Sequence, residues 1–400
     1  MSATLILGDP HIGRSLGIGK PGIGSALASR LVDQLNILDW TLDQAVSHTA
    51  RNIIITGDVF QDSKPHPTIV ALFISWLKKC TDNDIDVHII AGNHDIIRSG
   101  QFSMSALDII SAADIEGVHV YKHMSTLNTL GASFTLMPFR DRRSFNTDSN
   151  ITALQTIQNS LPYELSEIEV SSAKVVIGHF AIEGSIPVGD EIDDMANELF
   201  CPVSMFNGYD FVWMGHVHKP QVLSKTPYVS HIGSMDLSDF GECDHTKVII
   251  VFDPKKSEPY KYIEIPTRPL KQISVSVPEG NIGTTEYVIN NIREKCKSLD
   301  KAIVKLNITL NSPDLVNVNR SEIEECLNGL GAFHITRISE EKKAAAIKKN
   351  SSTEFIDSAV NEATALKMYA DTNIDADIRN DFIALASSIV KECTMEIKDK

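Results

Sequence analysis

Between residues 3 and 220 the chain repeats one pattern five times: a short apolar run, a glycine, and then a side chain of a type that binds metal. The glycines are Gly8, Gly57, Gly92, Gly178 and Gly215, and the side chains that follow them are Asp9, Asp58, Asn93, His179 and His216. Buried parallel strands appear in a sequence as continuous apolar runs, and ligand sites of α/β sheets lie beyond the carboxyl ends of the strands. We therefore expect five strand ends to converge on one metal site.

Three of the five positions add a histidine within two residues of the first donor: His11, His94 and His218. The candidate ligands are Asp9, His11, Asp58, Asn93, His179, His216 and His218. Two carboxylates, one amide and four imidazoles are more donors than one ion uses, so the set predicts two ions with one ligand shared. Mixed oxygen and nitrogen donors without thiolate suit Mn²⁺, Fe²⁺ or Zn²⁺, and the carboxylate share favours Mn²⁺, with Mg²⁺ also possible.

His94 stays outside this ligand set and is predicted to face a scissile phosphate. Two ions ~3.5–4 Å apart activate a nucleophile and clamp the oxygens of a phosphoryl group during in-line displacement. His94 would either stabilise charge in the transition state or protonate the leaving oxygen, with Asp95 able to hold its ring. A single strand-end Asp-x-His is usually a turn or a satisfied polar pair, but five such positions in one order argue for a catalytic site.

Composition limits the classes of protein that remain. The net charge of −15 argues against a nucleic-acid-binding protein with a broad basic face, unless a partner supplies the affinity for nucleic acid. Six scattered cysteines without a C-x-x-C pair predict reduced thiols. No apolar run approaches the ~18–20 residues that span a bilayer, and no basic leader precedes the first strand. We expect a cytoplasmic protein (in the host-cell cytoplasm if the source is viral) without membrane contact.

The 400 residues predict two domains and a tail. Strand-like and helical stretches alternate over residues 1–265, which is typical of an α/β domain. Residues 266–340 predict a small α+β domain with strands at 272–277, 303–310 and 332–338 and helices at 285–296 and 321–330. Residues 341–400 predict a linker and two helices, at 353–369 and 376–395, whose apolar faces need each other or a partner.

The ordered motifs resemble those of calcineurin-like metallophosphoesterases. They are Asp9-Pro10-His11, Gly57-Asp58, Gly92-Asn93-His94-Asp95, Gly178-His179 and Gly215-His216-Val217-His218. Within that superfamily the chain resembles SbcD-type recombination nucleases over residues 1–340. The narrower match lies in Asp9-x-His11-x-Gly13, Gly57-Asp58-Val59-Phe60, Gly233-Ser234, Phe240-Gly241-Glu242 and Thr267-Arg268-Pro269.

This resemblance implies a four-layer α/β/β/α sandwich with a small α+β capping domain and a helical tail. It implies one ion held by Asp9, His11, Asp58 and His218 and a second held by Asp58, Asn93, His179 and His216, with Asp58 bridging. His94 would be the catalytic histidine. The implied activity is a Mn²⁺-dependent 3′-to-5′ exonuclease and single-strand or hairpin endonuclease. The implied partners are DNA and the coiled coil of an SbcC-like ABC-type ATPase, with two nucleases and two ATPases in a heterotetramer.

Two alternative functions stay open, and one departure from the family pattern favours the second of them. Many relatives carry His or Asp where this chain has Gln61, which puts exonuclease efficiency in question. The first alternative is a phosphomonoesterase or phosphodiesterase for small substrates, and the second is a scaffold for the ATPase with weak cleavage. The Gly17–Gly24 loop contains a Gly-x-Gly-x-x-Gly, a pattern that is found in dinucleotide-binding sites. Pro21 interrupts the pattern, so a flexible loop near the site is the preferred interpretation.

Overall fold

The computed structural model describes residues 3–15, 17–24, 27–97, 104–166, 172–188, 198–281 and 283–343, and beyond them Ala370, Arg379 and residues 382–386. Met1–Lys343 forms one compact unit and Ala344–Lys400 a second. The tail helices predicted at 353–369 and 376–395 lie almost entirely outside the described residues. Among the helices that are described, none is long and apolar enough to cross a membrane.

The strands and helices alternate through the first unit. In chain order the strands are β1 (Ala3–Leu7), β2 (Ala50–Ile55), β3 (Asp86–Ile90), β4 (Val118–Tyr121), β5 (Ser125–Thr129), β6 (Ala132–Met137), β7 (Ala173–Gly178), β8 (Ala181–Ile182), β9 (Phe200–Cys201), β10 (Phe211–Met214), β11 (Gln221–Lys225), β12 (Tyr228–His231), β13 (Val248–Phe252), β14 (Tyr260–Glu264), β15 (Leu270–Val277), β16 (Ile303–Leu310) and β17 (His334–Lys342). The α-helices are α1 (Ser29–Ser47), α2 (Pro67–Thr81), α3 (Ala106–Ala112), α4 (Asn150–Ser166), α5 (Thr284–Lys295) and α6 (Arg320–Gly329).

Two six-stranded sheets form the centre of the unit. Their strand orders are β14-β13-β1-β2-β3-β4 and β11-β12-β10-β7-β6-β5. Strands β1 to β4 are parallel to one another, and so are β6, β7, β10 and β12. The donor-bearing strands β1, β2 and β3 are therefore neighbours in one sheet, and β7 and β10 are neighbours in the other.

Each sheet buries both faces, which explains why its central strands are apolar throughout. Ile6, Ile54 and Ile90 belong to a core that also contains Trp213 and Phe252. Along β1, the alternate residues Leu5 and Leu7 belong to a second core, which contains side chains of α1, α2 and α3. The outer face of the second sheet packs on α4 and on the segments after β7 and β9. These layers confirm the four-layer α/β/β/α arrangement.

Helix ends follow local capping. Helix α2 begins at Pro67, and the His66 side chain accepts a hydrogen bond from the Thr68 amide. At the start of α3, Ser105 and Asp108 form a capping box. Helix α1 begins only at Ser29, after the glycine-rich loop.

A third, three-stranded sheet follows the sandwich. Strands β15, β16 and β17 are parallel in that order, and α5 and α6 connect them. Their apolar side chains form a core of their own, which includes Val275, Leu306, Val288 and Ile323. The strands and helices expected within 266–340 are present, whereas the function of this sheet as a capping domain stays a prediction. The five described cysteines are not joined by disulfides.

Candidate metal centre

The predicted donors all lie at the carboxyl ends of five strands. Asp9 and His11 follow β1, Asp58 follows β2, Asn93 and His94 follow β3, His179 follows β7, and His216 and His218 follow β10. Except for the half-buried Asn93 and His94, these side chains are buried. The two sheets thus bring seven donors together from positions more than 200 residues apart.

The glycines that precede the donors provide space for their neighbours. A Cβ at Gly92 would lie 2.1 Å from Oδ1 of Asp58, and a Cβ at Gly215 would lie 2.2 Å from Oδ1 of Asp9. Cβ atoms essentially never approach other atoms this closely. The pattern of strand, glycine and donor therefore has a physical reason, because any larger residue would displace a carboxylate of the adjacent loop.

A first group of donor atoms comes from Asp9, His11 and His218. One ligand atom of each lies within 4.8 Å of the others, which is close enough for all three to bind one ion. The Nε2 atoms of His11 and His218 are 3.0 Å apart. Nε2 of His11 also lies 3.5 Å from Oδ2 of Asp58. Asp9 is fixed by the hydroxyl of Thr56, which donates to its Oδ1 at 2.9 Å.

A second group comes from Asp58, His179 and His216. Nε2 of His179 lies 3.2 Å from Oδ2 of Asp58 and 2.9 Å from Oδ1 of Asn93. Nδ1 of His216 lies 3.0 Å from the same Asn93 oxygen. Oδ2 of Asp58 therefore lies near ring nitrogens of both groups. This is the position expected of a ligand that is shared by two ions.

The orientation of the imidazoles fits metal binding. The ring nitrogens that face away from the donor groups are held in place: Nδ1 of His179 lies 2.9 Å from the Thr56 carbonyl oxygen, and Nδ1 of His218 lies 3.4 Å from Oε1 of Glu242. Nε2 of His216 contacts the carboxylate of Glu198. When a partner fixes the proton on one ring nitrogen, the lone pair of the other is free for a cation.

The electrostatics also indicate a cation at this place. Burial opposes ionisation of Asp58, but His179 and then His11 hold its pKa well below the ordinary value. Burial raises the pKa of Asp9, with His179 opposing the shift and Asp58 adding to it. Burial favours the neutral form of His179, yet Asp58 and Asp9 outweigh it and raise its pKa to about 10. The carboxylates draw a proton to His179 here, and a bound cation would replace that proton.

His94 lies beside both groups and is not anchored by Asp95. Nδ1 of His94 lies 2.7 Å from the carbonyl oxygen of Gln61, and its backbone amide donates to Oδ1 of Asp58 at 2.8 Å. Asp95 instead accepts the backbone amides of Gly92, at 2.9 Å, and of Val59, at 3.4 Å. The structure thus corrects the expectation that Asp95 holds the His94 ring. Asp95 braces the loops after β2 and β3, and burial followed by the charge of Asp58 raises its pKa to about 7.

Several residues that support the site were not predicted to do so. Glu198 lies in an acidic stretch of the sequence, which is typical of a solvated loop. Thr56 is the last residue of the apolar run before Gly57, where the pattern predicts only a strand. Gln34 of α1 binds the loop after β1, because its Nε2 donates to the carbonyl oxygens of His11 and Arg14. Glu242 is part of the Phe240-Gly241-Glu242 motif, and this was the one available signal in the sequence.

A match to a known protein family covers the strands that carry these donors. A family described as Calcineurin-like phosphoesterase matches residues 3–220, which is more than half of the chain. The chain belongs to this family. The expected fold and the expected class, a metal-dependent phosphoester hydrolase, are confirmed at the level of the family.

Curated relatives are similar at low identity. The SbcD component of the nuclease SbcCD from Escherichia coli is 22% identical over 266 residues, which cover 60% of this chain and 65% of that relative. The protein of the same name from Staphylococcus saprophyticus is 26% identical over 288 residues, covering 68% and 70%. The DNA double-strand break repair protein Mre11 of Methanopyrus kandleri is 22% identical over 223 residues, covering 53% and 43%. The chain therefore spans less than two thirds of the length of the Escherichia coli relative. The similarity to SbcD-type nucleases is confirmed.

Proposed function

We propose that this protein is a Mn²⁺-dependent DNA nuclease that hydrolyses phosphodiester bonds with two metal ions. The observation that carries the proposal is the pair of adjacent donor groups with the carboxylate of Asp58 near both. One ion would bind Asp9, His11, Asp58 and His218, and the other Asp58, Asn93, His179 and His216. Such ions supply an activated water and stabilise charge on phosphoryl oxygens.

His94 is the proposed catalytic residue among the protein groups. Its ring packs edge-on against His11, with 4.9 Å between ring centroids, and its Nδ1 faces the Gln61 carbonyl oxygen. If that contact keeps the proton on Nδ1, the lone pair of Nε2 is free to contact a substrate or to accept a second proton. Protonated at both nitrogens, His94 would donate to a phosphoryl or leaving oxygen. Asp95 would act indirectly, by bracing the loop that carries His94.

The proposed substrates and partners follow from the names of the relatives. Two relatives are named as a component of the nuclease SbcCD, and a third as a DNA double-strand break repair protein. We propose that this chain also acts on DNA, with 3′-to-5′ exonuclease and single-strand or hairpin endonuclease activity, in recombination or break repair. The net charge of −15 is consistent with a protein whose affinity for DNA comes partly from an associated coiled-coil ATPase.

Two parts of the chain would serve this assembly. The three-stranded sheet of residues 266–340 would be a capping domain that shapes the DNA groove. Residues 341–400 would bind the coiled coil of the ATPase, in a complex of two nucleases and two ATPases. Copurification of the ATPase with full-length protein, and its loss on truncation after residue 343, would test the second assignment.

The nuclease assignment is tested with end-labelled duplex and hairpin DNA in Mn²⁺. Wild-type protein, with and without its ATPase, should cleave the labelled DNA. Asp58→Asn should abolish cleavage because both ions lose a ligand, and His94→Ala should abolish cleavage while both ions still bind. Matched controls are Asp148→Asn and His123→Ala, which alter exposed side chains and should leave the activity unchanged.

Substrate panels distinguish the alternatives. Hydrolysis of p-nitrophenyl phosphate without cleavage of any DNA would replace the nuclease assignment by a phosphatase for small substrates. Normal cellular function of the His94→Ala protein would point to a scaffold.

A further inference from the structure

Two glutamates lie behind ligand histidines, on the side away from the proposed ions. His218 directs Nε2 at His11 and has its Nδ1 3.4 Å from Oε1 of Glu242. His216 directs Nδ1 at Asn93 and has its Nε2 against the carboxylate of Glu198. His218 belongs to the first donor group and His216 to the second. Each proposed ion site therefore has one carboxylate behind one of its histidines.

Glu242 is held rigidly in this position. The residue is 1% exposed, and its Oε2 accepts the backbone amide of Ser238 at 2.9 Å. Nζ of Lys247 lies 3.4 Å from the same oxygen and donates at 2.8 Å to the carbonyl oxygen of His218. The same lysine therefore contacts both the carboxylate of Glu242 and the backbone of the ligand histidine.

A competing contact at His218 depends on which ring nitrogen carries the proton. Nη1 of Arg14 also lies 3.4 Å from Nδ1 of His218. An arginine only donates hydrogen bonds, so this contact requires an unprotonated Nδ1 and places the proton on Nε2. A cation on Nε2 excludes that arrangement and leaves Nδ1–H to donate to Glu242. Binding of an ion and pairing with Glu242 therefore favour each other.

Glu198 is placed in an equivalent way at the second group. Its side chain is 10% exposed and that of His216 is 6% exposed, so their contact is largely shielded from water. Nδ1 of the other histidine of this group, His179, lies 2.9 Å from the Thr56 carbonyl oxygen and 3.6 Å from Oδ1 of Asp9, which is itself a donor of the first group. Glu198, unlike Asp9, belongs to neither donor group, so its contact with the outer nitrogen of His216 is a supporting one.

We propose that Glu242 and Glu198 are positioning residues, each of which orients and strengthens one histidine ligand of one ion site. Glu242 acts on the site of Asp9, His11 and His218, and Glu198 on the site of Asn93, His179 and His216. A carboxylate behind an imidazole fixes the tautomer and raises the basicity of the ligating nitrogen, and its loss typically costs ~10–100-fold in metal affinity. This inference rests on the proposed two-ion function.

The test compares Glu242→Gln with Glu198→Gln, so that each variant is the control for the other. Mn²⁺ binding is followed by the paramagnetic resonance signal of unbound Mn²⁺, which gives the number of sites and their affinities without any substrate. Anomalous scattering from crystals grown at limiting Mn²⁺ then locates the occupied site. Glu264→Gln, on an exposed strand position, controls for the loss of one negative charge.

We expect Glu242→Gln to lower affinity ~10–100-fold for the ion beside His218 only, and Glu198→Gln to do so for the ion beside His216 only. Because Glu242→Gln removes a negative charge 3.4 Å from Nζ of the buried Lys247, the double variant Glu242→Gln/Lys247→Met is measured too and should show the same selective loss. Wild-type affinity at both sites in these variants, or equal losses at both sites, would overturn the inference. Wild-type protein that binds fewer than two Mn²⁺ ions would instead refute the proposed function, and this inference with it.

Discussion

Replacing Gly215 with alanine tests whether the glycines before the donors are required for space. Gly215 is outside the left-handed region of backbone conformation, so the substitution adds a Cβ without that source of strain. The new Cβ would lie 2.2 Å from Oδ1 of Asp9 and 2.5 Å from the hydroxyl of Thr56. To restore a separation of 3.0 Å, the Asp9 carboxylate has to retreat by about 0.8 Å in a close-packed interior.

This displacement is large on the scale of metal coordination. Ligand distances vary by only about 0.2 Å, so a shift several times larger should remove Asp9 from the first ion. We expect the affinity for that ion to fall at least ~10-fold, and the free energy of unfolding without metal to fall by about 1–3 kcal/mol from overpacking. The second ion, which does not use Asp9, should be retained. Calorimetric titration with Mn²⁺ and urea unfolding in chelator measure the two effects.

Gly329→Ala is the matched control for this experiment. Gly329 is the last residue of α6, and a Cβ there would meet no atom within 4 Å. Alanine should leave Mn²⁺ binding unchanged and alter the free energy of unfolding by less than about 1 kcal/mol, in the stabilising direction. If Gly215→Ala binds two ions as tightly as wild type, the close-approach explanation of the motif is refuted.

Two further predictions concern stability away from the metal centre. His88 is 3% exposed between Tyr121 and Asn52, and burial lowers its pKa to about 3. The His88 side chain therefore binds a proton more readily in the unfolded chain than in the folded protein. Its contribution to the free energy of unfolding is complete above pH 6.5 and is lower by roughly 2–3 kcal/mol at pH 4.5. Urea unfolding of wild type and His88→Gln from pH 7 to 4.5 should show a steeper loss in wild type, and parallel curves would contradict the assignment. Arg268 binds both carboxylate oxygens of Asp33 on α1, at 2.6 and 2.8 Å, so Arg268→Lys should lower the free energy of unfolding by about 1–3 kcal/mol. The exposed pair of Arg51 and Asp84 is the control, because Arg51→Lys should change the free energy of unfolding by less than about 0.5 kcal/mol. Equal effects of Arg268→Lys and Arg51→Lys would contradict the reasoning.

The fold, and the position of the predicted donors at the strand ends, could be predicted from the sequence for one physical reason. Strands buried on both faces need apolar residues at every position, so β2 and β7 appear as uninterrupted runs such as Ile53 to Ile55. The end of such a run is marked by glycine, and the donor comes directly after it. The placement of Asp58 and His179 therefore required only knowledge of where the strands end.

The groups that support the donors were less predictable because their contacts depend on side-chain direction. Adjacency in sequence suggested that Asp95 would hold His94, but the carboxylate of Asp95 turns back to the amides of Gly92 and Val59. The position opposite His94 is taken by a backbone carbonyl oxygen, that of Gln61, which no side-chain pattern encodes. Glu198 approaches His216 only through the tertiary fold, and its acidic neighbours in the sequence gave no sign of burial.

The cost of assembling this centre explains why its parts occur together. Asp9 and Asp58 are almost completely buried, and carboxylates placed so close to each other raise the free energy of the folded state unless positive charge is present. The two carboxylates raise the pKa of His179 to about 10, and divalent ions would supply the positive charge in place of a proton and leave the histidine free to bind as a neutral ligand. Rigid strands fix where the carboxylates lie, and Gly92 and Gly215 let the loops approach closely enough for Oδ2 of Asp58 to lie near ring nitrogens of both donor groups. Metal binding and the packing of the strand ends are therefore coupled, so that a change in either should be detected in the other.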